Sequence, residues 1–148
     1  MKIKGVFFFV VSIILLSCNK QDPKEQIQFL EGYWEIDKVE ISPDSTITYR
    51  MSENIDYFEL SDSSTLSGQR TKLRPQMDGT FRTTNSAEKI DLKIEEDSLR
   101  IYYKTPYDNW KETVLEASEE NLVIKNAQNK IYHYKKYSPI NIETNEEE

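Results

Sequence analysis

The chain has 148 residues, a formal net charge of −7 and a pI near 4.9. That length suits one domain of ordinary size, and an acidic chain whose basic residues are scattered, with no lysine or arginine stripe, excludes nucleic acid as a partner. One cysteine cannot form an internal disulfide, so the fold must be stable without one.

Residues 1–18 read MKIKGVFFFVVSIILLSC. Lys2 and Lys4 precede an apolar run from Val6 to Leu16, broken only by Ser12. The run falls short of the roughly 20 residues needed to cross a bilayer and has the flanks of a secretory signal peptide. The chain then turns polar at once through Asn19, Lys20, Gln21, Asp22 and Pro23. Leu15-Leu16-Ser17-Cys18 resembles a bacterial lipobox, with an aliphatic residue, a small residue and then the obligatory cysteine. Leu16 is bulkier than the commonest residue at its place. The resemblance implies that residues 1–17 are a lipoprotein signal peptide, removed so that Cys18 becomes the first residue. It implies a diacylated Cys18 thiol and, as a rule, an acylated new amino group, so the partner is the membrane. Two or three acyl chains, at about 0.8 kcal/mol per buried CH₂, anchor stably where one does not. Asn19 is not the Asp that marks inner-membrane retention in some Gram-negative systems, which favours the outer membrane and leaves open whether the domain faces the periplasm or the cell surface. Residues 18–27 read as a polar, lipidated tether.

The next segment, KEQIQFLEG, allows one apolar helical turn through Ile27 and Leu30, ended by Gly32. From residue 32 the pattern is strand, turn, strand. TITYRM alternates with Ile47, Tyr49 and Met51 on one face; KIDLKIEE does so with Ile90, Leu92 and Ile94. SLRIYYK sets Leu99, Ile101 and Tyr103 together, NLVIKN sets Leu122 and Ile124 together, and KIYHYKKY closes the series. Turn signals separate the runs, among them Ser42-Pro43-Asp44, Ser61-Asp62-Ser63, Asp78-Gly79, Asn85-Ser86, Glu96-Asp97 and Ala127-Gln128-Asn129. Residues 139–148 form an acidic tail without core residues. The expectation is an all-β domain over residues 28–138, an antiparallel up-and-down meander of about eight to ten strands. Closure into a barrel removes its exposed edges, and such a domain is expected to be monomeric.

The head of the first strand is Leu30-Glu31-Gly32-Tyr33-Trp34. This Leu-x-Gly-x-Trp, following a helical turn and opening a meander, resembles the first motif of the lipocalins and of bacterial lipocalin-like lipoproteins. The resemblance implies that Gly32 and Trp34 mark the closed end of the barrel. It implies that Trp34 lies beneath a basic side chain from the last strand, which Lys135 or Lys136 would supply, a contact of about 0.5–1 kcal/mol. There are departures. No Thr-Asp-Tyr occurs in the later loop, Ile55-Asp56-Tyr57 comes too early to serve, and no Arg follows the last strand. Eukaryotic ligand preferences therefore do not transfer. The competing reading of Trp34 is a core aromatic in a β-sandwich.

Catalytic groups are sparse. His133 is the one histidine, mid-strand, sharing a face with Ile131 and Lys135, while Tyr132 and Tyr134 take the other. No Gly-x-Ser-x-Gly, second cysteine or second histidine accompanies it, so neither a nucleophilic triad nor a usual zinc site is expected. The acidic turns SDSST and EEDS lack the order of a calcium loop. No enzyme, metal or cofactor is expected, although a carboxylate pair across a cavity stays open as a source of acid–base chemistry. Nine tyrosines and two tryptophans either line a cavity or fill the core. Strand parity assigns Tyr49, Met51, Phe58, Tyr103 and Trp110 to a ligand cavity. The leading expectation is a lipid-anchored envelope lipoprotein that binds a small apolar or amphipathic ligand. The alternative is a structural or inhibitory protein-interaction module with a filled barrel.

Overall fold

A computed structural model describes residues 20–62 and 66–139. Cys18, the leader and most of the acidic tail lie outside the described residues. The order is α1 (Pro23–Leu30), β1 (Gly32–Ser42), β2 (Ser45–Thr48), β3 (Ile55–Asp62), β4 (Ser67–Pro75), β5 (Phe81–Glu95), β6 (Ser98–Lys104), β7 (Asn109–Ala117), β8 (Asn121–Lys125) and β9 (Ile131–Lys136). All strand pairings are antiparallel. β1 and β3 to β9 form a meander closed by the β1–β9 pairing, and β2 is an extra strand on β1. The expected all-β closed barrel is therefore present, with eight strands in the barrel and one added to it among the described residues.

The helix begins earlier than the sequence pattern places it. Asp22 caps it, its carboxylate accepting from the Lys24 backbone N–H at 2.9 Å, and Pro23 sits where a missing N–H costs nothing. Gln21 is fixed to the barrel in both directions: its amide donates to the Ala117 carbonyl at 2.7 Å and accepts from the Ala117 N–H at 3.1 Å. Gln26 and Leu30 are buried. Residues 21–27, which the sequence pattern assigns to a tether over 18–27, thus pack on the barrel.

Two turns show how sequence and backbone agree or part. Glu95 pairs with Ser98 across Glu96-Asp97, whose φ values of 50° and 54° make the two-residue hairpin that matches strand twist. Asn85-Ser86, expected to be a turn, lies inside β5 instead. Asn85 adopts φ 58°, and Thr84 to Ser86 stand opposite the single Lys72. The left-handed residue bends the strand as a bulge and does not reverse it. Beyond the bulge Phe81 stacks on Tyr33 at 5.1 Å, and Tyr33 on Tyr57 at 4.4 Å.

The core is the barrel interior. Leu30, Trp34, Phe58, Leu99, Ile101, Tyr103, Leu122 and Ile124 are almost fully buried, each large aliphatic contributing about 1.5–3 kcal/mol relative to exposure. The alternation in β6 holds throughout, with Leu99, Ile101 and Tyr103 inside. Ile94 continues the inward face of β5 yet is 42% exposed near the end of its strand. TITYRM is a strand only to Thr48.

Candidate functional site

The closed end is built around Trp34. Its indole N–H donates to the Leu30 carbonyl at 2.9 Å, which ties the end of α1 to β1. Lys136 Nζ lies 4.5 Å from the Trp34 ring and donates to the Glu31 carbonyl at 3.2 Å. Of the two lysines the sequence offered, Lys136 supplies the cation; Lys135 lies near Glu35 at 3.7 Å instead. Gly32 has φ +131°, and a Cβ there would stand 2.3 Å from Lys136 Nζ. The glycine thus makes room for the cation over the tryptophan.

Further along the lumen the interior becomes polar. The strand register places Trp34, Asp56 and Lys72 in one row and Phe58, Arg70 and Glu88 in the next. Lys72 Nζ meets Asp56 Oδ1 at 2.8 Å. Arg70, 7% exposed, meets Glu88 at 2.5 Å and Glu112 at 3.7 Å, and its guanidinium sits 4.3 Å from the Tyr103 ring centroid. Trp110, the register partner of Tyr103 on β7, stacks on its ring at 5.0 Å and nearly parallel.

These surroundings set protonation. Burial works against the Arg70 charge, and the oxygens of Tyr103, Asp56 and Glu88 overcome it, so the guanidinium is held above its ordinary value. Burial pushes the Glu112 carboxyl up, with Arg70 pulling the other way. Burial also raises the Tyr103 and Tyr134 hydroxyls well above the tyrosine range. Both stay neutral donors, Tyr134 toward Asp56 and Tyr103 toward Glu112.

Beside this cluster is a cavity of about 280 Å³. Trp34, Ile36 and Val39 of β1 and Tyr132 and Tyr134 of β9 form its walls; Asp56 and Lys72 form a charged side; Tyr49, Ser52 and Asn54 form its rim. Ser52 Oγ donates to the Asn54 carbonyl at 2.6 Å, and the Asn54 side-chain oxygen is buried without a protein partner. An unpaired buried acceptor costs about 1–3 kcal/mol unless something donates to it.

The five residues assigned to a cavity by parity part company here. Tyr49 reaches the cavity rim, although it lies past the end of β2. Phe58 and Tyr103 point inward but pack as solid core. Trp110 is partly buried against Tyr103. Met51 is 70% exposed and outside the cavity, because the strand that would have carried it inward ends at Thr48. Asp56, Arg70, Lys72, Glu88 and Glu112 were not anticipated. Their signal is phase: Asp56 is in step with Phe58, Glu88 with Ile90, and Glu112 with Val114. His133 faces outward, its Nε2 2.7 Å from Glu40 Oε1, and that contact pulls the Glu40 carboxyl down.

The profile of the lipocalin-like domain matches residues 30–124. The chain belongs to the lipocalin-like family. The match opens on Leu30 of the Gly-x-Trp motif and ends in β8, so the closing strand and Lys136 lie past it. Among solved structures the chain is similar to a lipocalin-like protein from Bacteroides uniformis, at 11% identity and a TM-score of 0.47, over 73% of this chain and 98% of that one. No curated protein matches. Lipocalin-like proteins are in general binding proteins without enzymatic activity.

Proposed function

We propose that the chain is a lipid-anchored lipoprotein of the cell envelope whose barrel binds one small amphipathic ligand in the upper lumen. The observation that carries this reading is the cavity of about 280 Å³, in which Trp34, Tyr132 and Tyr134 face the ion pair of buried Asp56 with partly exposed Lys72. A few convergent polar groups in an aromatic wall are the usual composition of a small-molecule site. The volume lies just below the roughly 300–1,000 Å³ of drug-sized sites, so the ligand is small. Its polar end meets Lys72, Asp56 and the Asn54 oxygen, and its apolar part lies against Trp34, Ile36 and Val39. This narrows the apolar-or-amphipathic expectation to an amphipathic ligand that carries a hydrogen-bond donor.

The lipobox supports anchoring through Cys18, and Asn19 after it supports the outer membrane. The intact mass of the protein from its own cells tests the anchor, through the acyl groups on Cys18 and the missing residues 1–17. Native mass spectrometry of the same sample tests the ligand. One small molecule per chain sustains the reading, and a folded, empty barrel replaces it with the protein-interaction module.

A further inference from the structure

The sequence scatters its basic residues, and the sheet gathers five of them. Residues of β5, β6 and β7 that alternate away from the lumen form one outer face. Across it the register aligns Lys89 with Lys104 and Asn109, Asp91 with Tyr102 and Lys111, and Lys93 with Arg100 and Thr113. The face holds Lys89, Lys93, Arg100, Lys104 and Lys111 against the carboxylates of Asp91 and Glu95, in a chain with 19 basic and 26 acidic residues. Glu95 is engaged by the Tyr102 hydroxyl at 2.7 Å, and Arg100 by Thr113 and by Glu96 at the turn. The four lysines are exposed, and among the described residues none of them forms an ion pair. Lys93 and Lys111 flank the Tyr102 ring at 4.6 and 5.5 Å, beside a groove of about 400 Å³ that Lys104 and Asn109 also line.

A second observation is where the chain joins the barrel. Lys20 donates to the Ser98 hydroxyl at 3.1 Å, at the first residue of β6, and Gln21 is fixed to Ala117, the last residue of β7. Cys18 precedes Lys20 by two residues, a reach of at most about 7 Å. On the lipid-anchor reading, on which this inference rests, the acyl chains enter the bilayer beside the edge of this face. From that edge Lys93 lies two residues along β5, about 7 Å, and the Lys89–Lys104 pair six residues along, about 20 Å, so the face runs outward from the anchor.

We propose that the outer face of β5–β7 lies on an anionic bilayer, with Lys89, Lys93, Lys104 and Lys111 against lipid headgroup phosphates and the barrel on its side. The acidic remainder of the surface is repelled by the same bilayer, so charge selects this orientation. Each lysine at an anionic surface strengthens partition by about fivefold.

The test places the mature lipoprotein on vesicles of phosphatidylcholine alone or with about one-third phosphatidylglycerol and follows lysine acetylation by peptide mass spectrometry. With anionic lipid, Lys93, Lys104 and Lys111 react several-fold more slowly while Lys38 and Lys130 do not change, and high salt removes the protection. Equal rates on the two vesicles overturn the proposal. Flotation with pure phosphatidylcholine reports the acyl anchor separately. If that fails, the unanchored protein must still float better with anionic than with neutral vesicles. The K93Q/K104Q/K111Q variant must then lose about 100-fold in anionic binding, and a variant that binds like wild type overturns the proposal.

Discussion

Replacing Arg70 by methionine isolates the polar half of the barrel. Met fills much of the same space and removes only the cation. Arg70, Glu88 and Glu112 are all largely buried, with side chains 9%, 14% and 12% exposed. Removing one partner of a buried ion pair leaves uncompensated charge and costs about 3–5 kcal/mol. Against an ordinary domain stability of about 5–15 kcal/mol, the variant folds with a much reduced margin. At a urea m-value of about 2 kcal/mol per molar the midpoint falls by roughly 2 M, readable from tryptophan fluorescence. The loss depends on pH. Burial already holds the Glu112 carboxyl above its ordinary value, and Arg70 opposes that shift. In R70M the opposition is gone, so the folded-state pKa rises further above the unfolded one. The deficit is then smallest below the unfolded pKa and grows as pH rises through the folded pKa. R70M therefore differs less from wild type at pH 5 than at pH 8, and adding E88Q and E112Q recovers most of the loss. A midpoint shift under about 0.5 M at neutral pH, or the same shift at pH 5 and pH 8, would mean that Arg70 does not compensate the buried Glu88 and Glu112.

Two further substitutions probe the backbone. G32A puts a methyl group 2.3 Å from Lys136 Nζ at φ +131° and is expected to cost about 1–3 kcal/mol. In a K136M background the cost shrinks but persists, because the dihedral strain remains, and a double-mutant cycle by urea unfolding separates the two parts. D97G relieves a positive φ in the β5–β6 turn and is expected to stabilise by about 1 kcal/mol, seen as a higher thermal midpoint.

Much of the barrel was legible because its lower half obeys simple alternation. Leu99, Ile101 and Tyr103 in β6 announce one buried face, and Leu30 to Trp34 announce the closed end. The upper lumen was not legible, for a physical reason. β4 carries SGQRTKLRP, with Arg70 and Lys72 on the inner face and no apolar contrast to mark which face that is. Arg70 is buried at a tolerable cost only because Glu88 and Glu112 arrive from other strands, and the partly exposed Lys72 finds its partner, Asp56, on β3. Pairing of that kind is a property of register, which one strand's sequence does not contain. The same holds outside, where Lys89 and Lys104 become neighbours only across the β5–β6 ladder. Met51 shows the opposite error: parity continued past Thr48, where the strand had ended.

On the proposed function, the cavity beside Asp56 and Lys72 is occupied in the cell. Native mass spectrometry of the protein isolated from its own cells, beside an N54W variant that fills the cavity from its rim, tests it most directly. The expected result is one non-covalent small molecule per wild-type chain, beyond the mass of the acyl groups, and none on a variant with an unchanged circular dichroism spectrum. A folded wild-type chain with an empty barrel, or an adduct that N54W retains, contradicts it.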